Sequence, residues 1–317
     1  MPIPILTDSE VLPLLDMDEL VPPMEEFLHA YSAGSAVTPP RHAVAFDPYG
    51  RLVFTIGGLH HQGRSLAGFR AYDTFKTSGA EDEQIVAVWD SSRSALVGLV
   101  LGDSLGEWRT GALGGVAVKH MSRPDATTCA VIGTGRQART QLLAVAACRT
   151  LSEVRVYGRT AERRRQFADE LAAETKLHVW ATDTTREAVE GVDIVLCATN
   201  SRTPILDTAW LAPGTHVNTV GPKTLRAHEL PFDIAARVTL IATDLVEQVN
   251  AYPEPYFLSD KPVWTKLQEL AGLIKNNGVA SRTENDISLF CSAGLAGTEI
   301  LAAAHVLERH RMSKQHG

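Results

Sequence analysis

The chain has 317 residues, 44% of them hydrophobic and 21% charged, and its formal net charge is −7. This composition predicts a soluble globular protein of more than one domain and argues against a nucleic-acid partner. No apolar run approaches the ~18 residues of a membrane span, and the acidic N-terminal segment does not resemble a signal peptide. Four scattered cysteines favour reduced thiols, so we expect a cytoplasmic protein with neither a membrane nor a nucleic acid as partner.

Two helices are predicted near the start of the chain. Ser9 is predicted to cap the first, over residues 11–15, because serine is a preferred N-cap residue. The second is predicted over residues 24–31, with Pro22 or Pro23 in its first turn. Proline suits that position because the N–H that it lacks has no partner within a first helical turn.

A run of strands follows these helices. The strands are predicted over residues 43–46, 52–56, 66–72, 84–90 and 95–101. The tetrapeptide 47–50 supplies turn residues between the first two, so the region is predicted to be a mainly antiparallel sheet with helices beside it. Residues 107–120 are rich in glycine and alanine yet helical in character, which predicts a helix that crosses close beneath another element.

A glycine-rich turn follows a short apolar run, residues 129–132, that is typical of a buried parallel strand. Gly133 permits the tight turn from strand to helix, and Gly135 lets the backbone approach a pyrophosphate. Arg136 and Gln137 follow in the same turn, and a helical pattern comes next, so unpaired amides and the helix dipole at the helix start favour phosphate. Glycine at a strand end can also make only a turn, but the order of strand, turn and helix predicts a dinucleotide site.

The end of the next strand, residues 154–157, indicates which dinucleotide is bound. An acidic residue about 20 residues past the glycines holds the ribose hydroxyls in NAD-binding chains. This chain has Gly158 there, followed by Arg159 and Thr160, with Arg163, Arg164 and Arg165 one turn further on. Guanidinium groups suit a 2′-phosphate, so NADP(H) is favoured, with NAD(H) as the alternative. A solvated basic helix start is the competing interpretation of these arginines.

Strands and helices alternate from the glycine-rich turn onward, over roughly 170 residues, which predicts a doubly wound parallel sheet. Further strands are predicted over residues 178–181, 193–198, 216–220 and 238–243, and an alanine-rich helix over 296–309. Two domains are therefore expected. The first comprises residues 1–123, with a C-terminal helix, 295–317, that returns to it, and the second comprises residues 124–294.

Several short motifs together resemble one family. They are Arg109-Thr110-Gly111-Ala112, Lys119, the turn from Gly133 to Thr140, Leu289-Phe290-x-Ser292-x-Gly294, Pro39-Pro40-Arg41 and Val220-Gly221. The combination resembles the ornithine cyclodeaminase/mu-crystallin family over nearly the whole chain. The resemblance implies an α/β fold, with a Rossmann-type doubly wound parallel sheet and a mainly antiparallel α+β domain for substrate binding and dimerisation. It also implies a homodimer that reduces or forms the imines of amino acids.

The resemblance assigns residues to a substrate carboxylate and to the cofactor. Arg41 resembles the arginine that holds the carboxylate, and Arg109 resembles a second arginine at the carboxylate and nicotinamide side. An ordinary ion pair is the alternative for each arginine. The cofactor set comprises Thr110 near a phosphate, Thr199, Asn200 and Val220 beside the cofactor, and Ser292 and Gly294 closing the nicotinamide pocket. A helix-cap role is the alternative for Thr199 and Asn200.

Two positions depart from the family pattern. Arg70 stands where the family has a catalytic lysine, and Lys223 stands where cyclodeaminases have an aspartate. Arginine is a poor proton shuttle but a good carboxylate ligand, whereas a buried lysine can become a general acid. We therefore predict Arg70 as a carboxylate ligand and Lys223 as the displaced proton donor. Either cation could instead bind cofactor phosphate or point to solvent.

These residues predict an NAD(P)H-dependent reductase or dehydrogenase that acts on an imino acid or amino acid. Three or four cations in one pocket would favour a substrate with two carboxylates, such as iminosuccinate or aspartate, over a simple cyclic imine, and true ornithine cyclodeaminase activity is not expected. The alternatives are a cyclic ketimine (pyrroline- or piperideine-2-carboxylate) reductase and a non-catalytic, crystallin-like cofactor-binding protein. His42, His60 and His61 lack ligand spacing with cysteine or carboxylates, so no metal site is expected.

Overall fold

The computed structural model describes residues 3–75, 84–275 and 282–316. Contacts divide the chain into two compact units. Unit 1 comprises Met1–Arg109 and Gly294–Gly317, and unit 2 comprises Thr110–Ala293. The division into functional domains, 1–123 with 295–317 and 124–294, remains a prediction. Those domains include four stretches that lie outside the described residues: 1–2, 76–83, 276–281 and residue 317. No described helix is both long enough and apolar enough to span a membrane.

Unit 1 is built on a mainly antiparallel sheet, as predicted. The described strands are β1 (Ile5–Leu6), β2 (Ala36–Val37), β3 (His42–Phe46), β4 (Gly50–His61), β5 (Arg64–Asp73), β6 (Gln84–Asp90) and β7 (Ala95–Leu101). Their order is β1-β7-β6-β5-β4-β2, and β3 pairs with β4. The β1–β7 pair is parallel and the other pairs are antiparallel.

The prediction for the first helix is wrong in its cap and its bounds. The helix α1 spans Asp8–Val11, so Ser9 lies inside it, and a short 3₁₀ segment, Leu12–Leu14, follows. Thr7 is the N-cap residue, and its N–H donates a 2.9 Å hydrogen bond to Glu10 Oε2. The Thr7 hydroxyl donates to the same Glu10 oxygen at 2.9 Å, so the glutamate carboxylate accepts both bonds at the start of the helix.

The second predicted helix begins too late. The helix α2 spans Met17–Ser32, so Pro22 and Pro23 lie in its interior. Asp16 caps it by accepting a 2.9 Å hydrogen bond from the N–H of Asp18. The cap and a buried apolar face, which consists of Met17, Leu20, Val21, Met24, Phe27 and Leu28, outweigh the backbone hydrogen bonds that the prolines remove.

The C-terminal helix, Ala296–His316, packs on one face of the unit 1 sheet. Glycines make this close approach. A Cβ atom added at Gly57 would lie 2.6 Å from the Cα of Gly297, and one added at Gly68 would lie 2.8 Å from Ile300 Cδ1. Both distances are shorter than a carbon–carbon contact, so a side chain at either glycine would push the helix away from the sheet.

The opposite face of this sheet carries exposed apolar side chains. Val44 pairs with Leu52 on neighbouring strands, and Ile56 lies on the same side of β4 as Leu52, because residues two apart share a face. Ile85 lies on that side as well, through its pairing with Ala71. Val44, Ile56 and Ile85 are 40%, 58% and 43% exposed, respectively, so the face opposite the C-terminal helix is only partly covered.

Unit 2 is a Rossmann-type, doubly wound domain. Its strands are β8 (Thr128–Ile132), β9 (Glu153–Tyr157), β10 (Val179–Ala181), β11 (Ile194–Cys197), β12 (His216–Thr219), β13 (Lys223–Thr224), β14 (Ala227–His228), β15 (Val238–Thr243), β16 (Gln268–Glu269) and β17 (Ile287–Cys291). Eight of the described strands form a parallel sheet in the order β10-β9-β8-β11-β12-β17-β15-β16. The predicted α/β fold class is confirmed.

Helices connect the strands of unit 2 and cover both faces of its sheet. Their bounds are α3 (Ser104–Met121, which enters the unit at Thr110), α4 (Arg136–Cys148), α5 (Ala161–Thr175), α6 (Thr185–Val189), α7 (Ile234–Arg237), α8 (Val246–Asn250) and α9 (Leu270–Lys275). Alternate residues of β8 enter different hydrophobic clusters, Ala130 and Ile132 on one face and Cys129 and Val131 on the other. Burial on both faces is characteristic of parallel sheets.

The helix α3, which is rich in glycine, crosses close to another element, as predicted. A Cβ atom added at Gly111 would lie 2.5 Å from the carbonyl oxygen of Thr140, and one at Gly115 would lie 2.9 Å from Ala144 Cβ. Both partners belong to α4, so α3 and α4 meet at backbone distance. Small residues at these positions therefore set where α4, the helix after the glycine-rich turn, lies.

Candidate functional site

The glycine-rich turn lies where β8 ends and α4 begins. Gly133 has a φ of 127°, in the region that favours glycine, and its N–H donates a 2.9 Å hydrogen bond to the Tyr157 carbonyl. A Cβ atom at this position would lie 2.2 Å from the carbonyl oxygen of Ala198, beyond the end of β11. Gly133 is therefore fixed by the approach of three strand ends, β8, β9 and β11, at one edge of the sheet.

The next glycine faces open space. Gly135 is the N-cap residue of α4, and a Cβ atom added there would meet nothing within 4 Å. Gly135 and Arg136 are exposed, and the first turn of α4 contains no acidic residue. A 13-residue helix that begins with exposed amides and no carboxylate fits a pyrophosphate. The side chain of Gln137 is partly buried beside them.

The end of β9 offers cations and no carboxylate. Gly158 is buried, and a Cβ atom there would lie 2.7 Å from Thr134 Cγ2. Arg159, Thr160 and Arg163 are all exposed. The neighbouring Arg164 is instead buried, donates a 3.3 Å hydrogen bond to the Gly158 carbonyl and forms an ion pair with Asp183. Arg164 is therefore a structural residue, which leaves Arg159 and Arg163 accessible to a phosphate.

A buried glutamate that the sequence did not single out joins the ends of β11 and β12. Glu229 Oε2 accepts hydrogen bonds of 3.0 Å and 2.8 Å from the N–H and hydroxyl of Thr199. Its Oε1 accepts 2.6 Å and 2.7 Å hydrogen bonds from the Thr219 hydroxyl and the Gly221 N–H. The two predicted cofactor residues beside this carboxylate, Asn200 and Val220, are exposed and partly buried, respectively.

Lys223, the predicted proton donor, lies on β13 just beyond this glutamate-bound loop. It is 8% exposed, and its Nζ donates a 2.5 Å hydrogen bond to the Gly221 carbonyl. Burial raises the pKa of the Cys291 thiol to about 12, and the charge of Lys223 partly opposes that shift. Lys223 therefore lies near the end of β17, where Cys291 is held as a neutral, unreactive thiol.

The end of β17 is fixed by a second buried carboxylate. Asp244 follows β15, and its Oδ1 accepts a 2.7 Å hydrogen bond from the N–H of Ala293. Its Oδ2 accepts a 3.3 Å hydrogen bond from the Ser292 hydroxyl. Ser292, a predicted cofactor residue, is thus oriented by the neighbouring strand at the same carboxyl edge as the glycine-rich turn.

A buried polar network orients the start of α3 within unit 2. Gln141 Nε2 donates a 3.0 Å hydrogen bond to the carbonyl of Thr110, the predicted phosphate residue. Asn218 Nδ2 donates to the Gly114 carbonyl at 3.0 Å, and Asn218 Oδ1 lies 2.7 Å from His216 Nε2. Burial lowers the pKa of His216 to about 3, so this imidazole is neutral at physiological pH.

The three predicted arginines come together in unit 1, together with one carboxylate. Arg109 Nε donates a 3.1 Å hydrogen bond to Glu299 Oε1, and Arg70 Nη1 binds the same oxygen. The other arm of the Arg70 fork binds Gln84 Oε1. Burial lowers the pKa of Arg70, an effect that Glu299 opposes and that the charge of Arg109 reinforces. Sequence analysis identified these arginines but not Glu299.

Gly294 lies against the other side of the cluster. It has a φ of 90°, and a Cβ atom there would lie 3.0 Å from Arg41 Nη2 and 3.5 Å from Arg109 Nη2. Arg41 Nη1 donates a 3.3 Å hydrogen bond to the hydroxyl of Tyr72, and the Arg70 guanidinium lies 4.2 Å from the centre of the Tyr72 ring. Glycine at 294 therefore allows Arg41 and Arg109 to approach the same point.

The buried carboxylate of the arginine cluster is shared. Arg70 and Arg109 both bind the Glu299 carboxylate, so these two guanidiniums carry one more positive charge than the acid between them. Arg109 is 8% exposed, and its buried Nη1 has no hydrogen-bond partner among the described residues. An unbalanced buried cation is costly, so this arrangement fits a carboxylate ligand.

The predicted site residues thus fall into two groups. Arg41, Arg70, Arg109 and Gly294 cluster in unit 1, whereas Lys223 and the other predicted cofactor residues belong to unit 2. Within the described parts of the chain, no group of three or more His, Cys, Asp or Glu residues is arranged to hold a metal ion. The chemistry that the two groups of residues favour is anion binding by arginine and dinucleotide binding at the glycine-rich turn.

Comparison with known proteins gives concordant results. A model of the ornithine cyclodeaminase/mu-crystallin family matches residues 4–314. The chain is 28% identical to the delta(1)-pyrroline-2-carboxylate reductase of Bacillus cereus over 316 residues, which cover 96% of each protein. It is 25% identical to the alanine dehydrogenase of Archaeoglobus fulgidus over 328 residues, which cover 99% of this chain and 96% of that protein.

A solved structure shares the same fold. The delta(1)-pyrroline-2-carboxylate reductase of Thermococcus litoralis, solved in complex with NADH and L-proline, is similar to this chain with a TM-score of 0.85. The sequence identity is 26%, and the match covers 98% of each chain. The similarity extends over both units and is not limited to the Rossmann-type sheet.

Proposed function

Because the chain belongs to the ornithine cyclodeaminase/mu-crystallin family, we propose that it is an NAD(P)H-dependent oxidoreductase that acts on the C=N bond of an imino acid or the C–N bond of an amino acid. Support comes from the reductase and dehydrogenase activities named for its relatives and from the complex of one relative with NADH and L-proline. The glycine-rich turn and the arginine cluster supply the two binding functions that such a reaction needs.

The reaction divides into hydride transfer, proton transfer and the orientation of the substrate. A bound nicotinamide supplies or accepts the hydride. Arg41 and Arg109 orient the substrate carboxylate, since paired guanidiniums bind a carboxylate with both strength and direction. Arg70 belongs to the same cluster through Glu299, and Lys223 delivers a proton to the imine nitrogen during reduction.

The observation that carries the substrate class is the clustering of three guanidiniums, those of Arg41, Arg70 and Arg109, in unit 1. One substrate carboxylate binds two guanidiniums at most in a fork-to-fork manner, so a cluster of three favours a second carboxylate on the substrate. We therefore favour an imino or amino dicarboxylate, such as iminosuccinate or aspartate. True ornithine cyclodeaminase activity is not expected, because Lys223 places a cation where that reaction needs a carboxylate.

A cyclic ketimine is the second candidate substrate. The relatives from Bacillus cereus and Thermococcus litoralis are named delta(1)-pyrroline-2-carboxylate reductases, and the second was solved with L-proline. A cyclic imine carries one carboxylate and no second anion, so it would engage fewer of the clustered guanidiniums. The two candidates therefore differ in the number of carboxylates that the arginines bind.

NADP(H) is the cofactor that we favour. The support is local: Gly158 leaves no carboxylate at the end of β9, and Arg159 and Arg163 are exposed beside it. A 2′-phosphate would be repelled by an acidic residue and attracted by these guanidiniums. NAD(H) remains the alternative, because the relative solved from Thermococcus litoralis contains NADH.

A substrate panel tests the proposal. The purified protein is mixed with NADPH or NADH and one of three imines, iminosuccinate, pyrroline-2-carboxylate or piperideine-2-carboxylate, and the absorbance of reduced nicotinamide is followed. Ornithine is supplied with the oxidised cofactor and ammonia release is measured, because cyclodeamination leaves the cofactor in its starting redox state. We expect the largest kcat/KM with iminosuccinate and NADPH. A preference for a cyclic imine would establish the second candidate. Cofactor binding without turnover of any substrate would contradict both and favour a non-catalytic, crystallin-like protein.

A further inference from the structure

Glu229 is buried at the carboxyl edge of the unit 2 sheet, with an exposed fraction of 0%. Its two oxygens accept four hydrogen bonds, two from Thr199 and one each from Thr219 and Gly221. All four partners donate, and a carboxylate, which only accepts, satisfies them together. The amide nitrogen of a glutamine would face one backbone N–H and one threonine hydroxyl at either oxygen position. The hydroxyl can turn to accept, but the backbone N–H would be left unpaired.

The glutamate joins two neighbouring strand ends. Thr219 ends β12 and pairs with Cys197 of β11, two residues before Thr199. A Cβ atom added at Gly221 would lie 2.4 Å from the Thr199 carbonyl oxygen and 2.5 Å from the Glu229 carboxyl group, so the two segments meet at backbone distance. The Glu229 N–H also donates a 3.1 Å hydrogen bond to the Pro222 carbonyl, which fixes the loop that leads to β13.

The position of these strand ends relates them to one half of a bound dinucleotide. In a doubly wound sheet the cofactor lies along the carboxyl ends of the strands, and each half of the sheet holds one mononucleotide. The glycine-rich turn after β8 and the exposed arginines after β9 belong to the adenosine half. The ends of β11 and β12 lie in the other half of the strand order, which takes the nicotinamide mononucleotide.

We propose that Glu229 is a positioning residue for the nicotinamide half of the cofactor site. Its carboxylate fixes Thr199 and Gly221 against each other at the edge of the sheet that faces the nicotinamide ribose and ring, and the glutamate fixes the base of the loop that carries Lys223. This inference rests on the proposed function only in requiring a bound dinucleotide. It adds a residue that touches neither hydride nor substrate and that acts through the two loops.

Two ligands distinguish this role from a general structural one. NADPH contains the nicotinamide mononucleotide, whereas adenosine 2′,5′-bisphosphate lacks both the nicotinamide ring and its ribose and keeps the adenosine half. We expect Glu229→Gln to weaken NADPH binding about tenfold or more, since hydrogen bonds to a charged group are lost, and to leave adenosine 2′,5′-bisphosphate binding unchanged. Titration calorimetry measures both dissociation constants on protein whose circular dichroism matches that of the wild type.

Asp193 provides a matched control at the opposite edge of the same strands. Its Oδ2 accepts hydrogen bonds of 2.9 Å from the Thr127 N–H and of 3.0 Å and 2.8 Å from the N–H and hydroxyl of Thr128. It therefore joins the amino ends of β8 and β11 as Glu229 joins the carboxyl ends of β11 and β12. Asp193→Asn should lower the free energy of unfolding and leave the binding of both ligands as in the wild type.

Several outcomes would overturn the inference. A role confined to the nicotinamide half is excluded if Glu229→Gln binds NADPH as tightly as the wild type, or if it loses affinity for both ligands equally. If Glu229→Gln fails to fold, Thr219→Val removes one donor and keeps the carboxylate, and the same selective loss of NADPH binding is expected. If the wild-type protein binds NADPH but reduces no imine, the proposed function is contradicted. The Glu229 test still applies in that case, because it measures only ligand binding.

Discussion

Glu299 Oε1 accepts a 3.1 Å hydrogen bond from Arg109 Nε across 190 positions of sequence, and Arg70 binds the same oxygen. Glu299 is 1% exposed, so this ion cluster is shielded from solvent on the carboxylate side. A single oxygen that serves two guanidiniums fixes the directions of both, because moving either would leave a buried charge without its partner. The geometry of the proposed carboxylate site therefore depends on a residue that does not itself bind the carboxylate.

Arg70→Lys tests the contribution of the guanidinium fork. Arg70 binds Glu299 with one arm and Gln84 with the other, and a point ammonium cannot reproduce both contacts. We expect KM for the imino acid to rise about tenfold or more, with a smaller change in kcat. Steady-state kinetics measure both. Arg64→Lys is the control on the same strand, and its 3.2 Å pair with Glu26 is partly exposed. A fall in kcat at constant KM would argue against carboxylate binding.

Lys223→Met tests the predicted proton donor. Methionine keeps the length of the buried side chain and removes the ammonium group that donates to the Gly221 carbonyl. We expect turnover to fall about tenfold or more and one limb of the pH–rate profile to disappear, with NADPH binding retained. The pH dependence of kcat measures this. Full turnover in Lys223→Met would mean that water or a histidine delivers the proton.

Arg159→Ala tests the choice of cofactor. Arg159 is exposed at the end of β9, where a 2′-phosphate would lie. We expect the dissociation constant for NADPH to rise about tenfold or more and that for NADH to stay the same, since only NADPH carries the charged group. The control is Arg186→Ala, which removes a surface arginine of α6 that is paired with Glu190, and it should change neither dissociation constant. Equal weakening of NADPH and NADH would exclude a specific phosphate contact.

The buried His216 predicts a pH dependence of stability. Burial lowers its pKa from 6.5 to about 3 in the folded chain, so the unfolded chain takes up a proton first as the pH falls. The contribution of His216 to the free energy of unfolding is fully present above pH 6.5. As the pH falls from 6.5 to about 3, the free energy of unfolding decreases by about 1.4 kcal/mol per pH unit.

Urea unfolding between pH 7 and pH 4 measures this effect as the change of midpoint with pH. His216→Gln, which has no titrating group at this position, should show a shallower dependence than the wild type. His178→Gln replaces an exposed histidine of the same unit and serves as the control. Equal slopes for His216→Gln and the wild type would mean that His216 binds its proton equally well in the folded and unfolded states.

A homodimer through unit 1 remains a prediction, and the exposed apolar face of its sheet supports it. Ile56 is 58% exposed at that face, beside Val44 and Ile85, and apolar patches of this kind are typical of interfaces. Light scattering should give twice the chain mass of 34.3 kDa for the wild type and the monomer mass for Ile56→Asp. Leu225→Asp changes an exposed apolar residue of unit 2 and should stay dimeric. A monomeric wild type would contradict the prediction.

Local sequence signals predicted most of the regular elements because strands and glycine turns depend on neighbouring residues. The strand Val238–Thr243 has the bounds that its apolar pattern predicts, and Gly133 occupies the turn that its motif requires. The predicted start of α2 is wrong because Pro22 and Pro23 are a strong local signal for a helix start. The cap at Asp16 and the burial of the whole helix prevail over that signal.

The carboxylates of the site could not be predicted from sequence. Glu229 and Glu299 stand in stretches without a motif, and each becomes important only when distant residues reach it, Thr199 in one case and Arg109 in the other. Only the tertiary structure identifies these two glutamates, as buried acids that accept several hydrogen bonds or form several ion pairs. Arginines were identified more readily because short family motifs surround Arg41 and Arg109 in the sequence.

The division of the chain imposes an order on its folding during synthesis. Unit 2 consists of the continuous residues 110–293, whereas unit 1 needs both the first 109 residues and the C-terminal helix. That helix packs against β4, β5, β6 and β7, so the unit 1 sheet lacks this cover until residues 296–316 leave the ribosome. Unit 2 can therefore complete its fold first, while the earlier-synthesised sheet waits. A chain truncated before Ala296 would keep every residue of unit 2 and lose the cover of unit 1.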